Sequence, residues 1–293
     1  SFEGHSTPHE PGLKAVWAEV EARMAALQLE ESKLSRLEAQ PRPEDVTPLE
    51  ARVRAAEVEA KRAEGTFERV KTARDAGAAA FVVSDATKAA GLGVPTYVVP
   101  DTLVALGQLA TAWRRAWGRT VIAVAGSNGK TSTKELLKAA FGRTLVVHAT
   151  KGNLNNLIGV PLTLLSIPSE AEVAIVEVGT NTPGEVAALR AITEPDIAVL
   201  TSIGEEHLEG LGDLAGVLRE ESEIFHRVTL AIVPSAHPEV LEIATARATA
   251  VLSAGLEHAS IAPSAWGLDA EGRPWLDVDG VHFTLPLRGA HQA

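Results

Sequence analysis

The chain has 293 residues, no cysteine, a hydrophobic fraction of 45% and a formal net charge of −11. That length and apolar content suit a globular protein of about two domains, while the lack of cysteine excludes disulfides and thiolate metal sites and points to a reducing cytoplasm. The acidity argues against a protein that coats nucleic acid, and neither an uninterrupted apolar run of about 18 residues nor a signal-like N-terminus is present to support membrane insertion or secretion.

From about residue 13 to 72 the apolar positions follow helical spacing. Val20, Met24, Leu27, Leu34 and Leu37 form one series, and Leu49, Val53, Ala56, Ala60, Ala63, Phe67 and Val70 form a second with a four-three alternation. Between them, PRPEDVTPLE (41–50) offers Thr47 as an N-cap, Pro48 at the first helical position and Glu50 to complete a capping box. The pattern predicts an antiparallel helical hairpin that acts as a structural or partner-docking arm rather than in catalysis.

After Gly77 short apolar runs alternate with helical stretches. AAAFVVS and TYVVP read as strands, and DTLVALGQLATAWRRAW as a helix that closes a small first α/β domain near residue 117. From Arg119 onward the runs TVIAVAG, TLVVHAT, VAIVEVG, DIAVLTS and LAIVPS alternate with helices. Their near-continuous Val, Ile and Ala content predicts strands buried on both faces, hence a mostly parallel sheet covered by helices on both sides. The tail AWGLDAEGRPWLDVDGVHFTLPL predicts antiparallel strands at one end. The expected domains are therefore 1–117, carrying the hairpin, and 118–293.

The chemistry concentrates in VIAVAGSNGKTSTKELLKAA (121–140). Gly126, Gly129, Lys130 and Thr131 stand between a buried strand and a helix, where backbone N–H groups and the helix dipole cradle phosphate. Lysine adds a point charge for the β and γ oxygens, and Thr131 a hydroxyl for Mg²⁺. The commoner, longer phosphate loop would need glycine at position 124, which is Val124, so this is a shortened variant. Glu177 ends one strand and His207 follows another, at carboxyl ends that share the crevice of the loop. Glu177 reads either as a magnesium ligand or as a buried ion-pair partner. His207 reads as a ligand or as a hydrogen-bonded loop residue.

GSNGKTSTKE (126–135), TKGNLNNLIGVPLTLL (150–165), VEVGTNTPGEVAAL (176–189) and TSIGEEHLEGLGDLAGV (201–217) together resemble the Mur ligases of peptidoglycan synthesis. The serine in GSNGKT and the KGNLNN run favour the branch that joins D-alanyl-D-alanine to UDP-N-acetylmuramoyl-tripeptide. The resemblance implies a P-loop-type ATPase domain in which Gly126, Ser127, Asn128, Gly129, Lys130, Thr131 and Ser132 bind ATP, and Thr131, Glu177 and His207 hold Mg²⁺. Lys130, Glu177, His207 and Glu221 would be the catalytic set. It also implies that Asn153, Asn155 and Asn156 face the nucleotide-sugar peptide, although Asn155 and Asn156 read equally well as helix caps.

Two departures stand out. The family's carbamylated lysine, fourteen residues after the histidine, is Glu221 here. A glutamate is ionised at neutral pH without CO₂, so Glu221 reads as a partial replacement or, after its REE run, as a solvated helix residue. The chain also starts at Ser1 and stops at LRGAHQA, where similar proteins continue into an adenine-contacting asparagine and a C-terminal ligase domain. A fragment is the expectation. A small-GTPase-like switch is rejected for want of an Asn-Lys-x-Asp motif. The remaining rivals are another Mur-type ligase and a non-catalytic nucleotide-binding subunit.

Overall fold

The structure, a computed structural model, describes residues 77–85, 95–206 and 208–285, together with the helical, exposed positions Ala22, Ala25, Ala26 and Leu29. The remainder of the expected hairpin lies outside the described residues, as does His207. The chain divides into two compact units with the boundary between Ala105 and Leu106. In the first unit, β1 (Phe81–Val83) pairs in parallel with β2 (Thr96–Val98). Among the described residues no helix is long and apolar enough to cross a membrane.

Helix α1 (Thr102–Trp117) leads into β3 (Thr120–Ala125), α2 (Lys130–Phe141) and β4 (Val147–Ala149). The chain continues through α3 (Gly159–Leu165), β5 (Val173–Glu177), α4 (Glu185–Thr193) and β6 (Ile197–Leu200). Then come α5 (Leu208–Leu211), α6 (Leu214–Glu221), a 3₁₀ turn at Ser222–Phe225, β7 (Leu230–Pro234), α7 (Pro238–Arg247) and β8 (Ala250–Ala254). Finally β9 (Ala265–Leu268), β10 (Pro274–Val278) and β11 (Val281–Thr284) form the expected antiparallel sheet, with β10 in the middle.

The main sheet has six parallel strands in the order β4-β5-β3-β6-β7-β8. Its alternation is two-sided, which is why these strands carry no polar face. Val121, Ala123 and Ala125 point into a large core shared with α3, α4, α6 and α7, whereas Ile122 and Val124 point to the other face, where Leu137 and Phe141 of α2 cover them. The chain leaves β3 toward β5 and β4 and returns on the other side to β6. That reversal opens a crevice at the carboxyl end of β3, the place where open α/β sheets bind ligands.

Two carboxylates organise the turn between β5 and α4. Glu220 of α6, 6% exposed, accepts from Gly184 N and Val186 N at 2.8 Å each and so caps α4 from a neighbouring helix. Glu185 gathers Asn181 N at 2.6 Å and Thr182 N at 3.0 Å. Glu220→Ala would strand two backbone donors, so a destabilisation of about 2 kcal/mol is expected. Urea midpoints of wild type and variant check it, and an unchanged midpoint would refute the capping role.

Candidate nucleotide and metal site

The loop after β3 is built on a backbone that only glycine accepts readily. Gly126 has φ +117°, and a Cβ there would lie 2.5 Å from Thr201 Oγ1 and 2.9 Å from Ser202 N and O. Close approach lets the loop bond to the end of β6. Ser127 N donates to Ser202 O at 2.9 Å, Asn128 N to Ser202 Oγ at 3.0 Å, and Thr201 Oγ1 to Asn128 O at 2.6 Å. Ser127 Oγ accepts from Gly204 N at 2.9 Å and donates to Gly204 O at 3.2 Å, so this hydroxyl braces the loop.

Gly129, φ +87°, stands at the N-cap of α2 and supplies no side chain to cap it. The first amides of a twelve-residue helix therefore remain available to an anion, with the helix dipole behind them. Lys130 folds over the loop, donating to Gly126 O and to Ser127 O, and its Nζ lies 3.7 Å from Glu206 Oε1.

Glu177 sits at the tip of β5, next to β3, and is 3% exposed. Its Oε2 accepts from Thr131 Oγ1 at 3.0 Å and its Oε1 from Asn155 Nδ2 at 3.1 Å. Lys134 Nζ lies 3.6 Å from Oε2 and donates to Thr150 O at 2.9 Å, while Thr150 Oγ1 accepts from Glu177 N at 2.9 Å. Of the two sequence readings of Glu177, the buried ion-pair partner is present in Lys134, and the carboxylate also meets the phosphate-loop hydroxyl. Lys134 was missed by the sequence reading. Its signal was the spacing Lys130-x-x-x-Lys134, which places two lysines on one helix face. A carboxylate and a hydroxyl joined at the loop are hard oxygen donors of the kind Mg²⁺ prefers, so the residues present fit that ion. Among the described residues no three His, Asp or Glu side chains converge in a way that could hold a metal.

The three asparagines separate. Asn156 Oδ1 accepts from Gly159 N at 2.9 Å and Ile158 N at 3.1 Å, starting α3 as a cap. Asn155 steers Glu177. The exposed Asn153 contributes its carbonyl to Asn155 N at 2.8 Å.

Glu221 is not the solvated helix residue that one of the two sequence readings expected. It is fully buried at the end of α6 rather than on a solvated face, and its Oε2 accepts from Gly126 N at 2.9 Å while Oε1 has no partner. Nor is it an ordinary ionised glutamate. Burial pushes its carboxyl up to about 7, against the opposing pull of the Lys130 charge and the Gly126 hydrogen bond, with Glu206 and Glu220 adding to the rise.

Beside the loop, a cleft of about 940 Å³ runs along the carboxyl ends of β6, β7 and β8. Leu136, Leu137, Ile232 and Pro234 give it apolar walls, and Asn128, Thr133 and Ser202 give it polar groups. That size and mixture suit a small organic ligand.

A strand, a glycine loop and an uncapped helix placed at the switch point of a parallel sheet define a phosphate-loop nucleotide-binding domain. Residues 124–293 match the family model described as the Mur ligase middle domain. The chain belongs to the Mur ligase family. It is similar to UDP-N-acetylmuramoyl-tripeptide--D-alanyl-D-alanine ligase of Bacillus subtilis, with 46% identity over 129 residues, 44% of this chain and 28% of that protein. The enzyme of the same name from Synechocystis is 34% identical over 228 residues, 76% of this chain and 49% of that protein. Among solved structures, MurF from Acinetobacter baumannii superposes with a TM-score of 0.65 at 32% identity, covering 72% of this chain and 47% of that one. MurF from Thermotoga maritima in complex with ADP gives 0.60 at 28% identity, covering 67% and 48%. The chain thus spans less than half the length of each of these relatives.

Proposed function

We propose that this chain is the ATP-binding part of a cytoplasmic ligase that joins D-alanyl-D-alanine to UDP-N-acetylmuramoyl-tripeptide. The observation that carries the reading is the hydrogen bond of 3.0 Å from Thr131 Oγ1 to Glu177 Oε2, which couples the phosphate loop to a carboxylate on the adjoining strand. The names of the relatives supply the substrates. A carboxylate is a poor acyl donor. Transfer of the γ-phosphoryl group of ATP makes it an acyl phosphate, which an amine attacks to leave amide, ADP and phosphate.

In this reading the α2 amides hold phosphate oxygens and the Lys130 ammonium offsets charge on the phosphoryl in flight. Thr131 and Glu177, with His207, would hold Mg²⁺, which supplies further charge neutralisation. Lys134 and Asn155 keep Glu177 in place. Asn153, exposed beside them, is assigned to the nucleotide-sugar peptide, and the cleft along β6–β8 to the nucleoside. No side-chain nucleophile is needed.

Phosphate release from ATP by the full-length protein, with each substrate added alone and both together, tests the proposal. Release that requires both substrates supports the ligase. Nucleotide binding without substrate-dependent release would instead leave a non-catalytic subunit. Because Glu221 occupies the position of the family's carbamylated lysine, turnover is expected to be indifferent to bicarbonate. Stimulation by bicarbonate would show that a modified lysine elsewhere acts in its stead.

A further inference from the structure

A second basic hollow, of about 680 Å³, lies at the end of the sheet opposite the phosphate loop. Its residues come from the segments just before β3, β6 and β7, that is, from the amino ends of strands whose carboxyl ends face the loop. With strands of four to six residues, the two ends are on the order of 15–20 Å apart. Four guanidiniums, from Arg114, Arg115, Arg190 and Arg227, face two carboxylates, from Glu194 and Asp196. The lining thus carries a formal charge of +2 in a chain whose net charge is −11.

Two of the arginines are engaged in holding the fold. Arg114 donates to Thr193 O at 3.1 Å, Glu194 O at 3.0 Å and Asp196 Oδ2 at 2.8 Å, which ties the end of α1 to the end of α4. Arg115 binds both carboxylate oxygens of Glu194. Capping of helix carbonyls accounts for Arg114, and the paired carboxylate bonds account for Arg115. Neither accounts for the other two. Arg190 makes one long bond, from Nη1 to His226 O at 3.4 Å, and its buried Nε has no partner. A buried donor without an acceptor costs about 1–3 kcal/mol. Arg227 has no side-chain hydrogen bond or ion pair among the described residues, and its backbone is held at φ +63°, the left-handed region that a long side chain seldom adopts.

An unanswered buried donor and an unpaired guanidinium on one concave, positively charged surface call for a ligand with several acceptor oxygens and negative charge. Guanidinium matches phosphate oxygens in geometry as well as in sign. We propose that this hollow is a second anion site, separate from the phosphate loop, and that it takes a small phosphate-bearing molecule through Arg190 and Arg227. Arg114 and Arg115, neutralised by Asp196 and Glu194, frame the hollow, and its net charge of +2 rests on Arg190 and Arg227.

Titration calorimetry of the whole chain with pyrophosphate, inorganic phosphate and ADP tests it, in wild type and in Lys130→Ala, which disables the loop. Pyrophosphate binding that survives Lys130→Ala and weakens at least tenfold on Arg227→Glu is expected. Arg190→Lys should weaken it as well, since it removes the unpartnered Nε. Arg227 is exposed, so its replacement leaves the fold intact, and the melting temperature confirms that. Arg143→Glu, an exposed reversal outside the hollow, should leave binding unchanged. Tighter binding of ADP than of pyrophosphate in the Lys130→Ala background would identify a nucleotide as the source of the phosphate, and the reverse a free phosphate. Binding that disappears with Lys130→Ala alone, or that falls equally with Arg143→Glu, would overturn the proposal.

Discussion

Lys130→Ala is expected to lower ATP turnover of the full-length protein by about a hundredfold to a thousandfold or more, with the fold intact. The magnitude is that of removing a preorganised charge from a developing oxyanion. The fold should survive because Lys130 contacts loop carbonyls and Glu206 rather than the core, and its side chain keeps 15% exposure. Two measurements check the expectation: steady-state phosphate release and the thermal midpoint. A folded variant that turns over at the wild-type rate would remove the lysine from the phosphate site. The substitution should also be felt at Glu221, whose carboxyl the Lys130 charge pulls down. Without that charge, the Glu221 proton should be held to still higher pH.

Much of this site could be read from the chain because its signals are local. A glycine that must adopt φ +117°, a lysine and a threonine at fixed offsets, and an apolar strand before them are all neighbours in sequence. Strands β3, β5, β6 and β7 were legible for the same reason, since a buried apolar run differs in composition from its flanks, and helix α1 was legible as a longer stretch between turn residues. Strand β8 was not. The segment ATARATAVLSA passes from α7 into Ala250–Ala254 without glycine or proline between them, and as the edge strand β8 is only partly buried. Nothing in its pattern separates it from the helix before it.

The buried acids were illegible for a different reason. A run such as REE (219–221) looks the same in sequence whether it faces water or backbone amides. Glu220 and Glu221 are buried because the loop at 180–186 and the turn at Gly126 fold onto the end of α6, and the partners they meet there are main-chain N–H groups. Every residue but proline carries such a donor, so the partner leaves no trace in sequence. The role of Asn155 was obscured likewise: its carboxylate partner, Glu177, is 22 residues away and meets it only through the pairing of β5 with β3 and β4.

Glu221→Gln is expected to make the protein more stable at pH 8 than the wild type, by up to about 3 kcal/mol, and to leave it nearly unchanged at pH 4.5. The folded carboxyl holds its proton up to about 7, whereas in the unfolded chain it releases it near the ordinary glutamate value of 4.5. Between those values the folded state binds more protons than the unfolded one, so wild-type stability falls as pH rises through the window and has lost this contribution above about 7. The cause is geometric. One oxygen accepts from Gly126 N at 2.9 Å, and the other is buried with no partner, so ionisation places a charge where a single amide and the Lys130 ammonium are its main compensation. Glutamine keeps the acceptor for Gly126 and cannot ionise, so the descending limb should vanish from its pH profile. Urea unfolding of both proteins at pH 4.5, 6 and 8 checks this in the absence of nucleotide and divalent cation. Parallel profiles would mean that Glu221 titrates as an ordinary carboxylate. A cation bound near the unpartnered oxygen would favour the ionised form, so added Mg²⁺ should restore wild-type stability at pH 8 and leave Glu221→Gln unaffected if this carboxylate belongs to the metal site. Equal effects of Mg²⁺ on the two proteins would confine Glu221 to holding the phosphate loop.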